Sequence, residues 1–321
     1  ILLNDEEEDE IYEERDGNII YRTDHQMTVM DGRVSLAAGA RILDYGCAKA
    51  TMARRLAASR PDIGIHLFDV SHMYLPYWQQ FAEIENTAIH QTPEAWNASF
   101  DVVMSFFAFE HIPDPAAAMN HVASLLRDGG QVYGIVPHVF DNIADLVVID
   151  HVNHFTTPSI TRLLSAAGFG SIVVDTTSHR GGLIFSAIRN GEASAAPGIG
   201  DCLEKAHGLA GYWTGIDRSI RRQERQARGT AAIYGSGFYG SYILNALSKP
   251  EDIACFVDKN PFLQGRRLFS KPILPPTALP SDVRTLYAGL NPAQARSILS
   301  GQDWMKGRNL DIVYLDGGGG P

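Results

Sequence analysis

From residue 41 onward the chain alternates short apolar runs with stretches of helical period. Residues 41–45, 64–68, 100–106 and 131–136 are rich in Ile, Leu, Val and Phe and are bounded by turn-forming residues, the pattern of buried strands. Residues 51–59 and a segment opened by Asp114-Pro115 read as helices between them. The second of these has Met119, Val122, Leu125 and Leu126 on one face and stops at Asp128-Gly129-Gly130. Alternation of this kind predicts a parallel sheet covered by helices. Thr157-Pro158 opens another helix that closes at Gly168. The β-rich runs 171–175 and 183–188 then predict an antiparallel hairpin at the sheet edge.

Residues 190–199, rich in Gly, Ala, Ser and Pro, read as a linker, and residues 201–226 as a helix with a locally basic face. A second α/β unit follows: a strand at 231–234, a glycine turn, a helix to Leu247, a strand at 253–257, and further strands at 285–289 and 312–315. The predicted fold class is therefore α/β, two tandem Rossmann-like doubly wound domains. The expected boundaries are an acidic arm over 1–22, a first domain over 23–190, a linker and helix over 191–228, and a second domain over 229–321. A helix is expected from Thr23 to Ala38.

At 321 residues the chain is long enough for two cores. Its formal net charge of −10, part of it from the run between Asp5 and Glu10, excludes nucleic acid as the main partner. Cys47, Cys202 and Cys255 are scattered and odd in number, giving neither a disulfide framework nor a zinc pattern. A reducing cytoplasm is the expectation. No apolar run reaches the roughly 18 residues of a membrane span.

The segment Ile42-Leu43-Asp44-Tyr45-Gly46-Cys47-Ala48-Lys49-Ala50 is a strand ending in an acid, followed by a tight turn of small residues and a helix start. A carboxylate there repels a pyrophosphate and welcomes a cationic ligand. Asp69, followed by Val70, ends the next strand 23 residues after Gly46, where an acid accepts hydrogen bonds from a ribose diol. Residues 100–115 bring Phe106, Phe107 and Phe109, whose rings offer π faces to a cation, and then Glu110-His111-Ile112-Pro113-Asp114-Pro115. Together these segments resemble class I S-adenosylmethionine-dependent methyltransferases, whose motif I runs hydrophobic-Asp-x-Gly-x-Gly-x-Gly. Ala48 and Ala50 stand where the family has its second and third glycines. The resemblance implies S-adenosylmethionine as cofactor, held by Asp44, Tyr45, Gly46, Cys47, Ala48, Asp69, Val70, Phe106 and Phe107, with S-adenosylhomocysteine as product.

Methyl transfer to a hydroxyl or a carbon acid also needs a proton acceptor. The candidates are His111, His138, His151 and His154. Val148-Ile149-Asp150-His151-Val152-Asn153-His154-Phe155 concentrates two imidazoles and an acid, and Asp150 is the residue expected to orient its neighbour. The stretch resembles the Glu-His-x-x-Tyr-Phe segment of sugar C-methyltransferases, which implies His151 as base with Asp150 in the place of the glutamate. Val148 stands where that family has tyrosine, so carbon and oxygen both stay open as the methylated atom. Ligand spacing suggests no metal site.

Gly235-Ser236-Gly237-Phe238-Tyr239-Gly240, between a strand and a helix with Asp258 after the next strand, has the form of a dinucleotide fingerprint. NAD binding by an oxidoreductase-like protein is thus the rival reading. The same segment, with Phe256-Val257-Asp258-Lys259-Asn260-Pro261, is similar to the C-terminal domain of those sugar methyltransferases, which implies a substrate-binding domain and a nucleotide-linked or surface-glycan sugar as acceptor. That family's N-terminal zinc module is missing here, and an upstream segment is expected before Ile1. A non-catalytic domain that only binds S-adenosylmethionine is the third reading, suggested by Ala48 and Ala50.

Overall fold

The computed structural model describes residues 10–15, 18–79, 81–195 and 197–315; most of the acidic run between Asp5 and Glu10 lies outside them. The chain divides into two compact units, residues 1–200 and 201–321. No helix among the described residues is long and apolar enough to cross a membrane.

The first unit starts with an antiparallel hairpin, β1 (Ile11–Arg15) and β2 (Asn18–Tyr21), followed by α1 (Arg22–Asp31). Then come β3 (Arg41–Tyr45), α2 (Thr51–Ser59), β4 (Gly64–Asp69), α3 (Leu75–Trp78), β5 (Thr87–Ile89) and β6 (Phe100–Phe106). The unit closes with α4 (Pro115–Leu125), β7 (Leu126–Pro137), α5 (Thr157–Ala166), β8 (Phe169–Asp175) and β9 (Gly182–Arg189). Seven strands form one sheet in the order β5-β4-β3-β6-β7-β9-β8. Neighbours from β5 to β7 pair in parallel, and β9 runs antiparallel to both β7 and β8.

Period-two alternation divides the core between the two sheet faces. Leu43, Val103 and Val132 pack with Met119, Val122 and Leu125 of α4 and with Ile160 and Leu164 of α5. Their neighbours Ile42, Val102 and Tyr133 pack with Met30 of α1, Met52, Ala53 and Leu56 of α2, and Trp78 of α3. Burial on both faces is why these strands read as continuous apolar runs. The predicted caps are present: Asp114 accepts from the N–H of Ala117, and Thr156 with Ser159 makes a reciprocal capping box.

Sequence reading and structure differ in four places in this unit. Helix α4 ends at Leu125, and residues 126–130, read as its last turn and stop, already belong to β7. Residues 11–15 and 18–21 pair as a hairpin instead of an arm without period; Tyr12 ties it down by stacking on His25 (centroids 3.7 Å apart) and accepting from the N–H of Arg180. Helix α1 stops at Asp31, short of Ala38, because Gly32 ends it and Val34 turns into the core. Strand β5, three residues long, is too short to show a period.

In the second unit α6 (Cys202–Glu224) precedes β10 (Thr230–Tyr234), α7 (Phe238–Ala246), β11 (Ile253–Val257), β12 (Arg267–Leu268), β13 (Lys271–Leu274), β14 (Val283–Ala288), α8 (Pro292–Leu299) and β15 (Asp311–Val313). The sheet order is β12-β13-β11-β10-β14-β15, parallel except for β12. Both units are thus doubly wound α/β folds, each with its order reversing beside its first strand in the sheet.

Candidate active site

In the first unit the strand order reverses between β3 and β6, and their carboxyl ends open a cleft, the place where such folds bind ligands. The cleft has a volume of about 260 Å³ and includes Asp44 at the end of β3 with Phe106 at the end of β6. Gly46 turns the chain between them at φ +72°, and a Cβ there would lie 2.6 Å from the Cβ of Ala108. Only glycine fits this position.

The turn bonds closely to its own domain. The N–H groups of Gly46 and Cys47 both donate to the carbonyl of Phe68, that of Ala48 to Asp69 Oδ2 (2.8 Å), and that of Ala50 to the carbonyl of Cys47. Trp78 Nε1 donates to the carbonyl of Ala48 at 2.7 Å. Amides engaged in this way do not make an anion cradle, so the loop suits a cationic ligand better than a pyrophosphate. Asp44 supplies the complementary charge. It is 2% exposed, and burial, reinforced by nearby Asp69, pushes its carboxyl up to about 8. A sulfonium or ammonium group in the cleft would restore the carboxylate. At the same cleft, buried Lys49 and half-buried Arg22, which is paired with Glu10 at 2.8 Å and whose guanidinium lies 4.1 Å from the Phe107 ring centroid, bring positive charge. The residues present therefore fit S-adenosylmethionine.

Ala48 and Ala50 both hold left-handed backbone, at φ +46° and +59°. A Cβ in that region costs about 1–2 kcal/mol, partly offset by the entropy that glycine loses on folding. Ala50 is 1% exposed within the core, so its methyl returns roughly 0.8 kcal/mol by burial, whereas Ala48 is only half-buried. Ala48→Gly is expected to stabilise the protein by about 0.5–1 kcal/mol and Ala50→Gly to be near neutral, read as midpoint shifts in urea unfolding. Equal effects at the two positions would contradict this balance. Phe107 is a further residue at positive φ, +51°, and for a bulky side chain this is a true outlier on the cleft wall.

Of the expected cofactor residues, Asp44, Gly46, Cys47, Ala48, Phe106 and Phe107 line the cleft. Tyr45, Asp69 and Val70 do not. The ring of Tyr45 is buried against Phe68, and its hydroxyl meets His121 Nδ1. Val70 is 63% exposed outside the cleft, and Asp69 lies beneath the loop, where it accepts from Ala48 and Ser71. Sequence reading missed Thr23 and Gln26, both buried at the cleft, because α1 carried no motif.

The imidazoles gather beside β6. A 3-10 turn at Phe109–His111 follows that strand, and the carbonyl of Glu110 accepts from the N–H groups of Val152 and Asn153. Asn153 Nδ2 donates to the carbonyls of Phe109 and Ile112, which completes the clamp. These bonds bring the 150s loop to Glu110 across some forty residues of sequence. The acid that orients the imidazoles is Asp145, not Asp150. Asp145 is fully buried on a second 3-10 turn, Ile143–Val147, and its Oδ1 meets His151 Nδ1 at 2.6 Å while its Oδ2 meets His154 Nδ1 at 2.8 Å. Asp145, with Glu110 and Asp150 nearby, raises the basicity of His151 despite the opposing effect of burial. The side chain of Asp150 is 66% exposed and sits 3.6 Å from His111, whose Nδ1 also meets the Asp150 carbonyl at 3.0 Å. His138 has a different carboxylate partner, Asp141, at 2.5 Å.

Sequence spacing suggested no metal site, yet Glu110, His111 and His151 each place one ligating atom within 4.8 Å of the others. Glu110 is 1% exposed, its Oε2 has no hydrogen-bond partner, and burial pushes its carboxyl up to about 7.

In the second unit Gly235, at φ +94°, begins the fingerprint loop, and a Cβ on Gly240 would lie 2.0 Å from the carbonyl oxygen of Gly235. Asp258 accepts from both the N–H and the hydroxyl of Ser236. The acid after the second sheet strand thus braces the first loop here, as Asp69 does in the first unit.

Residues 24–172 match the family model described as a methyltransferase domain. Over 101 residues the chain is 31% identical to the ubiquinone biosynthesis O-methyltransferase of Aromatoleum aromaticum, covering 30% of this chain and 43% of that protein. The protein of the same name from Aeromonas salmonicida is 36% identical over 107 residues, covering 30% and 42%. The chain spans less than half the length of these curated relatives. Among solved structures, an S-adenosylmethionine-dependent methyltransferase from Mesorhizobium loti aligns over 51% of this chain and 98% of its own, at 16% identity and a TM-score of 0.43.

Proposed function

We propose that the class I methyltransferase domain in the first unit, with S-adenosylmethionine as its cofactor, methylates a hydroxyl of a sugar-bearing small molecule. The observation that carries the reading is the buried Asp145 carboxylate with two imidazoles on it, close to the end of β6. A hydroxyl must lose its proton as it attacks the methyl carbon, and an imidazole held in one tautomer by a carboxylate is built to take it. His151 and His154 are both held this way. The rest of the task is to align the partners and exclude water, which the cleft wall of Phe106 and Phe107 serves. Oxygen is preferred over carbon because Val148 replaces the tyrosine of the sugar C-methyltransferases, and the curated relatives carry O-methyltransferase in their names. The sugar rests on the similarity of residues 235–240 and 256–261 to the substrate domain of those enzymes. In this reading residues 229–321 hold the acceptor and bind no redox cofactor.

Calorimetry with S-adenosylmethionine, S-adenosylhomocysteine and NAD tests the cofactor, and mass spectrometry of products from nucleotide-linked sugars tests the acceptor. Both sulfur ligands are expected to bind and NAD is not; NAD binding without either of them would refute the reading. A mass gain of one methyl on a sugar hydroxyl is the expected product. Asp69→Ala is expected to weaken cofactor affinity, since Asp69 braces Ala48 in the loop at the cleft. An unchanged affinity would remove that role.

A further inference from the structure

We infer that Glu110, His111 and His151 form a binding site for one divalent transition-metal ion, which holds and acidifies the acceptor hydroxyl; the role in transfer rests on the function proposed above, but the binding does not. Three features of the cluster support it. The ligating atoms already lie within 4.8 Å of one another, and three ligands at about 2 Å from one ion are about 3.3–3.5 Å apart, so at most about 1.5 Å of closure is needed. Both imidazoles are oriented through the nitrogen that would not face the metal. His111 Nδ1 meets the Asp150 carbonyl at 3.0 Å and His151 Nδ1 meets Asp145 at 2.6 Å, which leaves Nε2 of each as the lone-pair nitrogen. A ligating histidine with its second nitrogen on a carbonyl or carboxylate is the usual outer-shell arrangement. The third ligand, Glu110, keeps an oxygen that is buried without a hydrogen-bond partner, in a residue 1% exposed. Its other oxygen lies 4.0 Å from His111 Nε2. A buried carboxyl oxygen with no donor is costly, and a cation at this point would satisfy it.

Two imidazoles and one carboxylate suit Zn²⁺ or Mn²⁺ and leave coordination positions open. With His151 as a ligand, His154 becomes the base. The acceptor hydroxyl oxygen coordinates the ion and gives its proton to Nε2 of His154. Its lone pair then forms the new O–C bond while the methyl C–S bond breaks, and sulfur keeps that electron pair as a neutral thioether.

The test uses the full chain, stripped with a chelator and titrated with Zn²⁺ against a chromophoric competitor. One equivalent is expected to bind. Glu110→Gln, isosteric, and His111→Ala, at a half-exposed side chain, should each weaken it at least about tenfold. His154→Ala should bind Zn²⁺ as the wild type does while losing turnover. His72→Ala, which breaks the exposed pair of His72 with His90, should change nothing. Absence of a stoichiometric site, or a site indifferent to both Glu110→Gln and His111→Ala, would overturn the inference. Full turnover in stripped enzyme would overturn the metal's role and leave methyl transfer standing. Zn²⁺ binding that depends on Glu110 and His111, in a protein that binds neither sulfur ligand, would support the metal site and refute the proposed function instead.

Discussion

Asp145→Asn is expected to lower kcat by roughly 10²–10⁴ while leaving S-adenosylmethionine affinity within about twofold. Both oxygens of Asp145 are engaged, each accepting from an imidazole Nδ1. Asparagine keeps the shape but offers one acceptor and one amide donor. One imidazole must then present a lone pair at Nδ1, which places its proton on Nε2, the atom that should face the substrate or a metal. The wrong tautomer removes the group's capacity to accept a proton or to ligate. Because Asp145 is fully buried and asparagine is nearly isosteric, circular dichroism and thermal unfolding serve as the control for fold. Asp150→Asn is the contrasting variant. Its side chain is 66% exposed and touches only the rim of the cluster, so a change of less than about threefold is expected. Comparable losses from the two substitutions, or an Asp145→Asn enzyme with full turnover, would remove Asp145 as the positioning residue.

The contrast between Asp145 and Asp150 shows what the sequence carries and what it does not. Features set by local chain geometry were legible. The strand-turn-helix at residues 41–59, the acid ending the next strand, and the helix caps at Asp114 and Thr156 follow from period and cap chemistry, and the structure has each of them. Adjacency alone makes Asp150 the expected partner of His151. In an irregular loop, however, adjacency does not determine direction, and the Asp150 side chain points out while its carbonyl meets His111. Asp145 lies six residues earlier in a stretch without period, and only the tertiary fold of that turn brings it beneath both imidazoles. The pairing of Glu110 with His151 depends on long-range bonds from Val152 and Asn153. The fingerprint at 235–240 was legible as a turn, yet its role depends on Asp258 already being bonded to Ser236. Tyr45 shows the converse: it belongs to a true motif, but strand alternation turns its ring away from the cleft.

The affinity for S-adenosylmethionine is expected to rise about tenfold per pH unit between pH 6 and 8, and then to level off. The sign follows from Asp44. Its carboxyl, ordinarily ionised well below neutrality, is raised to about 8 by burial and by Asp69, so below pH 8 the ligand-free protein holds a proton there. A sulfonium or ammonium group in the cleft favours the carboxylate and lowers that value, so binding releases one proton and weakens as the pH falls. Above pH 8 the carboxylate is already present and no further gain is available. Other charges facing the site do not reproduce this slope. The Cys47 thiol is itself pushed up by burial and by Asp44 and Asp69. S-adenosylhomocysteine keeps the ammonium but lacks the sulfonium charge, so a similar or shallower slope is expected for it. Asp44→Asn should flatten both profiles and weaken binding most at pH 8, where the wild type gains most from its carboxylate. Calorimetry in two buffers of different ionisation enthalpy reads the released proton directly. A pH-independent affinity with no proton release would show that Asp44 does not meet the cationic end of the cofactor, and the acid at the end of β3 would then be a buried structural group only.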